Sequence, residues 1–113
     1  MRAVSKYRAK PTVLHGVRFA SQAEARRYAE LLHLGAAGEI RNLELQPRFP
    51  LTVDGVKVAT YVADFAYDER IGAGPAIGWR HVVEDVKGMK TPMYRLKKKF
   101  AETQHSIQIR ETR

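Results

Sequence analysis

The apolar residues of this chain change their spacing between Gly38 and Ile40, and that change limits the fold more than any other feature. Ser21 followed three residues later by Glu24 has capping-box spacing, and Ala25, Tyr28, Leu31, Leu32 and Gly35 continue at a helical period until Gly38. They predict one helix from about Gln22 to Ala37. Downstream the period is two, with runs from Ile40 to Leu51 (broken at Pro47 and Pro50), from Val56 to Val58 after an Asp54-Gly55 turn, and from Tyr61 to Tyr67. Asp68 to Gly78 holds several glycines and a proline and reads as a surface loop, before a further strand from Trp79 to Val86. Thr91-Pro92 is a helix start, with Met93, Leu96 and Phe100 as its apolar stripe, and Ile107 to Ile109 reads as a last short strand. Ahead of all these, Val13 to Phe19 has two short apolar runs around His15-Gly16, the pattern of a small hairpin. Helix, antiparallel strands, helix and strand make an α/β (α+β) domain: a central mixed β-sheet flanked by helices.

A chain of 113 residues suits one core, here expected over residues 13–113, with residues 1–12 as a flexible basic arm carrying Arg2, Lys6, Arg8 and Lys10. The formal charge of +8 points to polyanionic partners. No apolar run is long enough for a span or a signal peptide, so no membrane partner is expected. Absence of cysteine removes thiolate metal sites and thiol nucleophiles and fits a reducing cytoplasm. Any chemistry therefore falls to carboxylates, lysine or histidine. His15, His33, His81 and His105 lack metal-ligand spacing and are read as surface or packing residues.

In Val82-Val83-Glu84-Asp85-Val86-Lys87, Asp85 and Lys87 lie two apart and share one face of a strand, while Glu84 points to the other, toward a structural salt bridge. Asp64 is the one charged residue in the run Tyr61 to Tyr67, where an unpaired carboxylate would cost several kcal/mol. If the two strands are neighbours, Asp64 sits beside Asp85, and a pair of oxygen donors without cysteine favours Mg²⁺ or Mn²⁺. Phosphodiester hydrolysis uses such a set: the cation polarises a phosphoryl oxygen, and the lysine orients or deprotonates water or neutralises the oxyanion. For Glu24 the spacing leaves two roles open, a cap on its own helix and an acid leaning over the site.

The ordered blocks Ser21 to Tyr28, Leu43-Glu44-Leu45-Gln46-Pro47-Arg48-Phe49, Tyr61-Val62-Ala63-Asp64-Phe65, Val83-Glu84-Asp85-Val86-Lys87-Gly88 and Tyr94-Arg95-Leu96-Lys97-Lys98-Lys99 resemble a family of small phage and prophage proteins. That family is catalogued as a domain of unknown function and grouped with the restriction-endonuclease-like superfamily, whose signature is Asp, a gap, then Asp or Glu, any residue, and Lys. The resemblance covers about Val13 to Ile109, and departs from the bare signature in having Ala63, not proline, before Asp64. It implies a restriction-endonuclease-like fold and a metal-dependent DNA endonuclease similar to phage Holliday-junction-resolvase-type enzymes, acting on branched or duplex DNA in a bacterial host cell.

Carried over residue by residue, it makes Asp64, Asp85, the Val86 carbonyl and Glu24 metal ligands, and Lys87 the catalytic lysine. Gln46 becomes a supporting residue, with a strand-end glutamine bonded to backbone as the alternative. Lys90, Arg95, Lys97, Lys98 and Lys99, together with Arg8 and Lys10, are expected to grip phosphates; a solvated helix face is the plainer reading of the cluster. A homodimer would supply two cuts. Two rival readings are a nicking or restriction-type nuclease of a mobile element and a non-catalytic nucleic-acid-binding protein.

Overall fold

The computed structural model describes residues 11–87 and 90–113. The basic arm's Arg8 and Lys10 therefore lie outside the described residues. Strands β1 (Thr12–Leu14) and β2 (Val17–Phe19) form the expected hairpin, turned by His15 at φ 50° and Gly16 at φ 77°. Both turn residues take the left-handed conformation that a tight two-residue hairpin needs. Helix α1 (Gln22–Ala36) starts where Ser21 Oγ accepts the Glu24 N–H at 3.2 Å, and it stops before Gly38 at φ 78°.

Four strands, β3 (Ile40–Leu45), β6 (Phe65–Ile71), β7 (Gly78–Val86) and β8 (Ile109–Thr112), make the central sheet in the order β3-β6-β7-β8. The first two pairings are antiparallel and β7–β8 is parallel, so the sheet is mixed. Strands β4 (Arg48–Val53) and β5 (Val56–Val62) form a separate hairpin around Asp54-Gly55. Helix α2 (Pro92–His105) is capped by Thr91, with proline in its first turn as Thr91-Pro92 predicts.

Strand alternation divides the core into two layers. Phe65, Tyr67, Val82 and Val86 meet Ala25 and Leu31 of α1 and Phe19 of β2 on one side. Ala66, Val83 and Ile109 meet Ala101 of α2, with Leu51 and Tyr61 of the β4–β5 hairpin, on the other. The sheet is thus covered by a helix on each face, the α+β arrangement the periodicity predicts. Burying a side chain such as Phe65 stabilises this layering by roughly 1.5–3 kcal/mol. Among the described residues no helix is long and apolar enough to cross a membrane.

Four expectations are corrected. The run Tyr61 to Tyr67 is not one strand: β5 ends at Val62, β6 begins at Phe65, and Ala63 and Asp64 lie between them. The chain is redirected by tertiary hydrogen bonds from Ala63 N–H to Pro47 O (3.1 Å) and from Asp64 N–H to Glu84 O (3.1 Å). The loop expected from Asp68 to Gly78 is shorter, because β6 continues to Ile71 in register with β7, where Glu69 answers Arg80. The last strand is Ile109–Thr112 instead of Ile107 to Ile109, since its partner register places Ile109 against Val83. Finally, Met93 and Leu96 are not a core stripe. Tyr94, Phe100 and Ala101 supply the packing face of α2, and Met93 and Leu96 stay exposed.

Candidate active site

Asp64 sits where β5 hands over to β6, and Asp85 stands on the adjoining β7, so the sheet brings the two carboxylates together. Asp64 is locked from both sides: its N–H donates to Glu84 O, and its carbonyl accepts the Gln46 N–H at 3.0 Å. Its side chain accepts the Val86 N–H on Oδ2 at 2.7 Å and lies within hydrogen-bonding range of the Asp85 carboxyl. Burial pushes the Asp64 carboxyl well above the ordinary carboxylate range, and the adjoining Asp85 carboxylate adds to the rise; the Val86 N–H opposes it.

Asp85 is 0 % exposed. Its Oδ2 accepts a hydrogen bond from the Tyr61 hydroxyl. Its Oδ1 is sealed from solvent and accepts no hydrogen bond from the described residues. Lys87 Nζ lies 3.1 Å from that oxygen, an ion-pair distance without hydrogen-bond geometry. The shared strand face expected of Asp85 and Lys87 is therefore realised. Lys87 is also placed over the Tyr94 ring, 4.7 Å from its centroid, while its N–H donates to Thr112 O at 2.9 Å.

Glu24 lies between its two expected roles. Its backbone is capped by Ser21, and its half-buried carboxylate accepts from the Ala20 backbone while lying within electrostatic reach of Lys87, Asp85 and Asp64. Burial raises its carboxyl, and the charge of Asp85 adds to this; the Ala20 hydrogen bond and Lys87 work the other way. Among the described residues no three His, Asp or Glu side chains come close enough together to hold a metal ion. The carboxylates converge as a pair, with Glu24 at longer range.

Of the other predicted residues, Gln46 is exposed and serves through its backbone, at φ 51°, by holding the Asp64 carbonyl. Val86 reaches the site through its N–H. Glu84 faces away from Asp85 into the expected salt bridge: it is 0 % exposed and accepts from Arg27 Nε (2.7 Å) and Nη2 (3.0 Å), Tyr67 (2.6 Å) and Thr112 (3.0 Å). The basic cluster splits. Lys90 and Lys98 approach Glu111 at 3.1 and 3.8 Å, whereas Arg95, Lys97 and Lys99 form no ion pair among the described residues. Sequence reading missed Tyr61, Tyr94 and Glu111 as site neighbours; Tyr94 donates to Glu111 at 2.8 Å. Tyr61 stands on β5, Tyr94 on α2 and Glu111 on β8, and they come together only through the packing of α2 and the β7–β8 register.

A cleft of about 520 Å³ lined by Arg80, His81, Ser106 and Arg110 among others opens toward the start of β7, and none of the residues above lines it.

The molecule is thus an α+β protein in which a buried carboxylate, a half-buried one and a lysine meet at the end of a central strand. It belongs to the family described as "Protein of unknown function (DUF1064)", whose model matches residues 4–112. No curated protein and no solved structure matches it.

Proposed function

We propose that this chain is a metal-dependent DNA endonuclease that hydrolyses phosphodiester bonds through Asp64, Asp85 and Lys87. The observation that carries the reading is the meeting of two carboxylates, one of them with a solvent-sealed oxygen that accepts no hydrogen bond from the described residues, beside the Lys87 ammonium. One lysine neutralises one carboxylate, and the second, Asp64, is left to hold a proton that a cation would replace, so the donor set fits a hard divalent cation such as Mg²⁺ or Mn²⁺. Asp85, Asp64 and the Val86 carbonyl would hold it, with Glu24 as a further acid. Bound there, the cation supplies Lewis acidity toward a phosphoryl oxygen and acidifies water.

The chain's own residues divide the remaining work. Lys87, held by Asp85 and the Tyr94 ring, places a positive charge where the phosphoryl oxygens gain negative charge, and orients the attacking water. Tyr61 and the Val86 N–H fix the rotamers of Asp85 and Asp64. Glu24, with its carboxyl raised by burial, is the acid placed to exchange a proton with water. A mixed sheet with a helix on each face supports a restriction-endonuclease-like scaffold, and the blocks quoted above support a phage or prophage relative acting in a bacterial cytoplasm.

With little surface for reading bases, structure-specific cutting of branched or Holliday-junction DNA by a homodimer is favoured over nicking or restriction-type cutting. A non-catalytic nucleic-acid-binding role is the rival. Incubating the purified protein with Mg²⁺ or Mn²⁺ and duplex, single-stranded, flap and four-way-junction DNA separates the two. Cleavage that falls at least about a hundredfold in Lys87→Ala with DNA binding retained supports the enzyme; four intact substrates refute it.

A further inference from the structure

Helix α2 shows two large apolar side chains to solvent beside the site. Met93 is 59 % exposed and Leu96 62 %. Three residues apart on a helix, they stand side by side on one flank. Neither belongs to the core that Tyr94, Phe100 and Ala101 complete.

Their surroundings are one-sided in charge. From Lys90 to Ala101 the sequence has no acid. Lys97, four residues after Met93, borders the pair on one side; Arg95 and Lys99, themselves four apart, border Leu96 on the other. All three cations are without an ion-pair partner among the described residues. The patch lies on the turn of α2 that borders the site: Tyr94, on the inward face of that turn, carries the ring over which Lys87 is placed, and Thr91 caps it.

We propose that Met93 and Leu96 form an apolar wedge for an unstacked base beside the scissile phosphate, while Arg95, Lys97 and Lys99 hold the flanking phosphates. This rests on the nuclease reading and names its substrate class. A nucleobase is an apolar plate on a polyanionic chain, and a patch that is apolar at its centre and cationic at its borders complements both parts. Aliphatic side chains inserted at base steps unstack them and kink the duplex. The opening costs least where a base is already mismatched, bulged or unpaired, so DNA with such defects or branches is the class selected. A second copy of the chain fits poorly, because its net charge of +8 would be brought against three unpaired cations.

Binding is measured in EDTA at fixed salt, with a labelled duplex and the same duplex carrying a two-nucleotide bulge. The unsubstituted protein is expected to prefer the bulged DNA by about tenfold. In the double variant Met93→Ser/Leu96→Ser that preference should fall below about twofold, with duplex affinity and Tm unchanged because both side chains are exposed. Arg95→Ala/Lys99→Ala should weaken both DNAs alike. Equal affinity of the unsubstituted protein for the two DNAs overturns the wedge, as does a preference that survives in the double variant. Loss of a dimer in that variant with the preference intact overturns it too, and assigns the face to a contact between copies. In each of these cases Mg²⁺-dependent cleavage of the substrate panel leaves the nuclease reading standing; failure to bind either DNA overturns both.

Discussion

Replacing Arg27 by methionine tests how the helix that carries Glu24 is held to the strand that carries Asp85. Arg27 gives Glu84 two hydrogen bonds, at 2.7 and 3.0 Å, and the Glu84 side chain is 0 % exposed. Methionine keeps most of the volume and removes the charge, which leaves a buried carboxylate with two hydroxyl donors, Tyr67 and Thr112. Removing one partner of a buried pair costs about 3–5 kcal/mol, and the two remaining hydroxyls place this case near the lower end. For a chain of 113 residues that is a large share of a stability on the order of 5–15 kcal/mol. It corresponds to a fall in Tm of about 10–15 °C.

Urea unfolding followed by fluorescence of the one tryptophan, Trp79, which lies under the Arg41 guanidinium at 4.2 Å, reads the change. The double variant Arg27→Met/Glu84→Met should recover most of the loss, because both charges go together. The pH dependence supplies a sign test. Burial pushes the Glu84 carboxyl up, but Arg27, Tyr67 and Thr112 together outweigh it and hold the group below its ordinary value of 4.5. A lowered folded-state pKa stabilises above the unfolded value and is lost as pH falls through the folded one. Without Arg27 burial is opposed only by hydroxyls, the shift reverses, and the variant's deficit should shrink below about pH 4.5. A loss under about 1 kcal/mol, a double variant no better than the single, or a deficit that grows in acid would refute the reasoning.

Asp64→Asn should stabilise the metal-free chain at pH 7 by about 1–2 kcal/mol while abolishing cleavage, since the raised Asp64 carboxyl must take up a proton on folding there, a cost that grows as pH rises from its ordinary 3.8 toward about 8. Thermal melts at pH 4 and pH 7 check this, and the gain should vanish at the lower pH. Tyr61→Phe removes the donor to Asp85 Oδ2 and should cost about 1–3 kcal/mol in urea unfolding, with cleavage reduced by less than in Lys87→Ala. Gly72→Ala would set a Cβ 2.2 Å from Ala76 O at φ +84°, and a loss of about 1–3 kcal/mol on calorimetry is expected with cleavage rates unchanged.

What could be read from the sequence was whatever depended on spacing within one element. The two-residue separation of Asp85 and Lys87 fixes a shared face in any strand, and the structure keeps it at 3.1 Å. The capping signals at Ser21 and Thr91-Pro92 act within one turn, and both helices begin there. Asp64 was marked by its isolation among apolar residues. Its place between two strands was not, because Tyr61 to Tyr67 contains no glycine or proline and bonds to Pro47 and Glu84 bend it. The stripe of α2 failed for a similar reason: period predicts a helix, but the arc that turns inward depends on what lies beneath. Tyr94 and Ala101, set against Tyr61, Val83 and Ile109, won that contest. The Lys87–Tyr94–Glu111 contacts needed the parallel β7–β8 register, which the polar run Arg110 to Thr112 does not announce.

The pairing of Glu111 with Lys90 and Lys98 also changes how many counterions this face would release from DNA. Five cations in the sequence suggest five neutralised phosphates, but two already have a partner, so the face offers about three, a salt slope near −3 in log K against log salt. Glu111→Gln would free Lys90, while Lys98 keeps Glu102 at 4.0 Å, and would steepen the slope by about one. One acid at the edge of the sheet thus sets the ionic strength at which the protein would let go.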